Sequence, residues 1–144
     1  LTEGRPITLE GVVGDSCELD VTFDVATAQR VGVRVRAASG GEEETLLYYD
    51  VAAQKLCFDA TRSGVDGRRI VEQAPLALPA GEPLRLRVFV DRSVVEVYAN
   101  DRQAICRRVY PGRADSVGVA LFVEGGSAAV STVKAWEMMP SNPY

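Results

Sequence analysis

The sequence predicts an all-β chain whose short antiparallel strands and close turns build a sandwich or a barrel. Three observations lead there. Apolar residues recur at every second position, turn-forming residues interrupt them at short intervals, and no window of helical length carries a 3.6-residue period. The 144 residues are 47% hydrophobic and 25% charged, close to an ordinary globular domain. At that length folding buries roughly 68–70% of the unfolded surface, enough for a core without metals or disulfides. No repeat, low-complexity tract or linker divides the chain, so residues 1–144 are expected to form a single domain.

In chain order, Cys17 to Val25 places Cys17, Leu19, Val21, Phe23 and Val25 on one side and Glu18, Asp20, Thr22 and Asp24 on the other. That alternation belongs to a strand with one wet face. Val31 to Ala37 repeats it, with Arg34 and Arg36 on the polar side. Between them, Ala26 to Arg30 is at most one helical turn. Further strands are expected at Leu46 to Asp50, Lys55 to Asp59, Leu84 to Val90, Val94 to Ala99, Gln103 to Tyr110, Val117 to Val123 and Ala128 to Met138. Ser39-Gly40-Gly41, Ser63-Gly64, Asp66-Gly67, Pro79-Ala80-Gly81, Asn100-Asp101, Pro111-Gly112 and Gly125-Gly126 mark the turns.

Parity fixes the register of the central hairpin, because directly opposed residues of an antiparallel pair share a face. An even-numbered connection sets Val90 against Val95, Val88 against Val97 and Leu86 against Ala99. The other face then carries Arg87, Phe89 and Asp91 beside Val94, Glu96 and Tyr98. Arg87 is expected to stack on Tyr98 and reach Glu96 diagonally, and the face to be partly covered, with Phe89 and Tyr98 not both more than half accessible.

Composition excludes several function classes. Sixteen basic against twenty acidic residues give a net charge of −4, which repels a phosphate backbone, so no nucleic-acid partner is expected. The absence of histidine removes Ser/His/Asp and Cys/His triads, HExxH zinc sites and Cys₂His₂ fingers. Cys17, Cys57 and Cys106 are far apart, odd in number and without a CxxC, which fits buried free thiols and points weakly to a reducing compartment. No signal peptide, lipidation motif or long apolar run is visible, and no membrane partner is expected. The chain opens on Leu1 and not Met, and it is read as a piece of something longer.

The candidate chemistry is sparse. Asp91 and Glu96 are the best pair of carboxylates for glycosidase chemistry, but Arg87 and Arg92 nearby would hold both ionised, which suits a structural ladder better than a general acid. Glu42-Glu43-Glu44 reads as a solvated loop or strand edge without the spaced ligands of a calcium loop. Asp59 to Asp66 reads as a polar turn tied by local side-chain to backbone bonds. Gly118, Gly125 and Gly126 lack a strand–helix nucleotide context. Trp136, the only tryptophan, is expected to pack against its apolar neighbours. These readings give no catalytic residue, no metal ligand and no cofactor.

From Leu84 to Asp101 the run Leu-Arg-Leu-Arg-Val-Phe-Val-Asp-Arg-Ser-Val-Val-Glu-Val-Tyr-Ala-Asn-Asp resembles the C-terminal β-sandwich of glycoside hydrolase family 32, the invertases, levanases and inulinases. Arg108 to Pro111, Gly118 to Phe122 and Val133 to Glu137 resemble the strands that follow. Tyr48-Tyr49-Asp50 and Asp59 to Gly64 resemble the upstream hairpin. Ala60 stands where the family often has arginine, and Arg102 where a turn glycine often follows Asn-Asp.

The family carries its chemistry on a separate N-terminal five-bladed β-propeller, with aspartates in Asn-Asp-Pro and Arg-Asp-Pro and a glutamate in Glu-Cys. None of these motifs occurs here; Cys17-Glu18 is the reverse order. The resemblance therefore implies that residues 1–144 form a single β-sandwich domain, two antiparallel sheets packed face to face in a jelly-roll or concanavalin-like outline, and that the chain is the C-terminal fragment of a longer β-fructosidase acting on sucrose or fructans. In that reading the chain is a non-catalytic accessory module that stabilises a propeller in the same polypeptide. Two other readings stand beside it: an autonomous, lectin-like carbohydrate-binding module, which should present two or more rings in a groove, and a purely structural or oligomerising domain.

Overall fold

The computed structural model of the protein describes residues 1–141. Eleven strands form in order: β1 (Ile7–Thr8), β2 (Ser16–Asp24), β3 (Arg30–Ala37), β4 (Glu44–Asp50), β5 (Lys55–Arg62), β6 (Val71–Pro75), β7 (Leu84–Asp91), β8 (Val94–Ala99), β9 (Gln103–Arg108), β10 (Gly118–Glu124) and β11 (Ala129–Glu137). They make a six-stranded sheet, β1-β10-β3-β4-β5-β6, and a five-stranded sheet, β11-β2-β7-β8-β9, antiparallel throughout. No helix occurs among the described residues, and Ala26–Gln29 is a turn whose Ala26 adopts φ 43°.

The alternation sorts residues between core and surface as the sequence predicts. Leu19, Val21 and Phe23 of β2, Leu86 and Val88 of β7, and Val95 and Val97 of β8 meet Val31, Val33, Leu47, Leu56 and Phe58 of the facing sheet in one continuous core. The hairpin register is the even one: Val90 opposes Val95, Val88 opposes Val97 and Leu86 opposes Ala99. Its two-residue connection, Arg92-Ser93, takes positive φ at Arg92, and Arg92 N–H donates to Asp15 O at 2.8 Å. Asn100 and Asp101 both adopt φ near +50°, and Arg102 N–H closes the turn onto Ala99 O. Asn and Asp tolerate that conformation, so the turn forms without a glycine at position 102.

Two strands lack a sequence signal. β1 is only two residues long. β6 is an edge strand whose outward positions include Val71 and Pro75 while Glu72 turns inward. Edge strands bury little, so their apolar alternation is weak. Three register slips re-aim strands: one extra residue in β3 around Arg36 opposite β10, one in β5 opposite β4, and Ser131 in β11 opposite β2.

Candidate functional site

On the outer face of the five-stranded sheet, β2 and β7 are laced by charge. Asp20 is directly opposite Arg87, yet it is Arg85 that bonds Asp20, Nη2 to Oδ2 at 2.7 Å, while Arg87 bonds Glu18. Each arginine thus reaches diagonally along the neighbouring strand, within the range of long side chains. The Arg85 hydrogen bond holds Asp20 below the usual carboxylate range against a smaller burial effect.

This corrects the expected partners of Arg87. It lies over the Phe89 ring at 5.3 Å and does not stack on Tyr98, which instead meets Phe89 edge-on at 5.9 Å and donates to Glu96 at 3.4 Å. Arg92 pairs with Asp15 at 2.9 Å, not with Asp91 or Glu96. The arginines thus leave the two candidate carboxylates for partners on other segments. Phe89 is half-buried and Tyr98 is 40% exposed, within the expected partial cover.

The outer face of the six-stranded sheet holds the densest polar constellation. Arg30 bridges Asp50 and Glu124 at 3.4 Å each and lies over the Tyr48 ring at 5.3 Å. Next to it, Glu44 is contacted by Arg34 at 2.7 Å and by Arg62. Beneath these charges Tyr48, Phe122 and Cys57 form a second small apolar cluster. Burial pushes the Tyr48 hydroxyl up to about 12, with Cys57 adding to it. An open groove of ≈ 880 Å³ runs over this face between Glu3, Arg30, Asp50, Phe122 and Glu124.

Glu43 and Glu44 overturn the expectation of a solvated acidic run: they are only 7% and 3% exposed, while Glu42 remains exposed. Glu43 accepts hydrogen bonds from Gly112 N–H at 2.9 Å, Arg113 N–H at 3.2 Å and Ser116 Oγ at 2.6 Å. Burial alone would raise its pKa, but these bonds and the Arg113 charge bring it below the ordinary glutamate value. The carboxylate ties the 112–116 loop to the chain just before β4. Its donors lie about seventy residues away in sequence, so only the Glu-Glu-Glu composition was visible locally.

The remaining candidates fall as follows. Asp59 accepts from Thr61 N–H at 2.8 Å and from Thr61 Oγ1 at 2.5 Å, the local turn network expected. Cys17 and Cys57 are the buried free thiols expected, but Cys106 corrects that expectation: it stands opposite Glu96 on the outer face of the edge strand β9 and is exposed. Trp136 corrects its expectation too: it is 45% exposed, because β11 is an edge strand and its outer face has no covering layer. Among the described residues no group of three or more His, Cys, Asp or Glu side chains is placed to hold a metal ion.

The sequence matching agrees with this architecture. Residues 2–137 match the family described as Glycosyl hydrolases family 32 C terminal. The chain is 32% identical over 132 residues to a sucrose-6-phosphate hydrolase of Zymomonas mobilis, covering 87% of this chain and 25% of that protein. It is 34% identical over 146 residues to a levanase of Bacillus subtilis, covering 92% and 21%. It superposes on the crystal structure of an exo-inulinase from Aspergillus awamori with a TM-score of 0.75 and 27% identity, over 94% of this chain and 29% of that one. The chain thus spans about a quarter of the length of the curated relatives it matches. From its strand order, its core and this match along nearly all its residues, the chain belongs to the C-terminal domain family of the family 32 glycosyl hydrolases.

Proposed function

We propose that this domain is the non-catalytic accessory part of a β-fructosidase, joined in one polypeptide to a catalytic β-propeller that it stabilises. The observation that carries the reading is the match of residues 2–137 to a C-terminal family while the chain spans only a quarter of its relatives. The side-chain chemistry supports it. The best-placed acids, Asp20, Glu18, Glu43 and Glu44, are each held by arginines or backbone N–H groups, arrangements that serve structure. A tethered partner that binds only the folded neighbour stabilises it by mass action, at an effective concentration set by the linker. Sucrose and fructans are the substrates proposed for the parent enzyme.

The test compares the melting temperature of the catalytic portion of the longer protein alone, in the intact polypeptide, and mixed with this chain. A higher melting temperature in the intact form is expected. Equal melting temperatures together with no association on mixing would overturn the stabilising role, and hydrolysis of sucrose or levan by the purified chain would overturn the non-catalytic one.

A further inference from the structure

At the corner between the sheets Leu1 and Ala128 are bonded twice: the terminal ammonium of Leu1 donates to Ala128 O at 2.7 Å, and Ala128 N–H donates to Leu1 O at 3.1 Å, as Glu3 N–H does to Gly126 O at 3.3 Å. Thr2 bridges Ser127 in the same antiparallel sense. This register, run backward from Leu1, sets the preceding residue opposite Ala129 and the next opposite Val130, along the free edge of β11.

The edge is the right one. Ser127 O accepts from Thr27 N–H, on the β2 side, so Ala128, one residue on, faces the opposite side. At the far end Met138 N–H donates to Ser16 O, toward β2. Alternating back from Met138, the N–H groups of Glu137, Ala135 and Val133 point away from β2 and meet no strand among the described residues.

The core is also open along this edge. Val133 and Ala135 oppose the fully buried Val21 and Leu19, and so face inward, yet Val133 is 42% exposed and Ala135 is exposed. A long edge strand with uncovered inward apolar positions is what proteins ordinarily pair or cover.

We propose that the polypeptide immediately upstream of Leu1 in the longer protein adds an antiparallel strand to β11, over up to the nine residues Ala129–Glu137, completing a second six-stranded sheet. The segment then crosses at Leu1–Arg5 into β1 on the other sheet, as β10 crosses into β11 through Gly125–Ala128. The inference rests on the reading of the chain as the C-terminal part of a longer enzyme. It makes the covalent linker a structural member of this domain, which fixes where the catalytic domain is tethered.

Amide hydrogen exchange tests it in three forms: the 144-residue chain, the chain extended by its natural nine upstream residues, and the intact polypeptide. In the extended form Val133, Ala135 and Glu137 should exchange about tenfold more slowly than in the 144-residue chain, while Lys134 and Trp136, bonded to β2, change little. Ala135→Pro, which removes only an outward N–H, should lower the melting temperature of the extended form more than that of the 144-residue chain. Protection that appears only in the intact polypeptide would mean the catalytic domain covers the edge instead, and would overturn the proposal. So would protection in the 144-residue chain that rises with concentration alongside a dimer in sedimentation, or no protection in any form. The upstream reading fails separately, if the gene encodes no hydrolase domain before Leu1.

Discussion

Tyr48 and Phe122 meet edge to face on the outer side of the six-stranded sheet, ring centroids 6.3 Å apart, although their strands are not neighbours. Between them β3 contributes Gly32, which opposes Phe122 on one side and Tyr48 on the other. The missing side chain leaves the space over which both rings close. A Cβ there would lie 2.6 Å from Tyr48 Cα and collide with the Leu47 carbonyl oxygen.

Gly32→Ala should therefore destabilise the domain by about 2–4 kcal/mol, well above an exposed-strand substitution, since the obstruction is backbone and cannot swing away. Urea unfolding measures it. A change within about 0.5 kcal/mol would show that β3 and β4 separate freely and that the ring contact is incidental.

Leu86→Ala probes the valine-lined hairpin that the sequence registers by parity. Leu86 is fully buried between Ala99 and Val21 in register, so its loss leaves a cavity costing about 2–5 kcal/mol. Val94→Ala, on the outer face of the same hairpin, should cost less than about 1 kcal/mol. Equal costs would mean the inward and outward faces are misassigned.

The Glu43 bonds predict an acid-sensitive stability. Its folded pKa lies below the ordinary glutamate value, so its contribution is complete above that value and is lost as pH falls through the depressed folded one. Glu43→Gln keeps one acceptor but turns an amide toward donors, and should cost about 1–3 kcal/mol at neutral pH. Below the folded pKa the variant and the native chain should converge. A gap that stays constant from neutral pH down to the pH at which the native chain itself unfolds would assign the cost to packing, not charge.

Thiol titration with a disulfide reagent on the native chain should show one fast group, Cys106, and two slow ones. Burial, aided by Asp15, pushes the Cys17 thiol up to about 11, and burial also raises Cys57. The thiolate is the reactive form, so both core cysteines stay inert until the sandwich opens. Three equally fast thiols in native buffer would contradict the burial of Cys17 and Cys57.

The lone Trp136 reports on its edge. In the 144-residue chain its fluorescence should be readily quenched by acrylamide, and Trp136→Ala should change stability by less than about 1 kcal/mol, as its ring lies 45% exposed on the outer face of an edge strand, opposite Glu18. Poor quenching in the 144-residue chain would restore the packed position that its apolar neighbours suggested.

Alternation along the chain determined which residues turn inward and the pairing of Val88 with Val97, while the particular residues from Leu84 to Asp101 carried the resemblance to the family. Period two is local, and each core residue carries its own signal in its neighbours. What alternation cannot carry is whether a given face meets a second layer, or which distant group answers a charge. Glu43 and Glu44 looked like solvated acids because their partners, Ser116 and Arg34, come close only when the strands assemble. Arg85 and Arg87 took Asp20 and Glu18 because β2, distant in sequence, lies beside β7. Trp136 sits in a strand with apolar neighbours, yet stays exposed because that strand ends a sheet. Sheet order and edges are properties of the assembled molecule, set by the summed burial of both layers, and only the tertiary structure decided them.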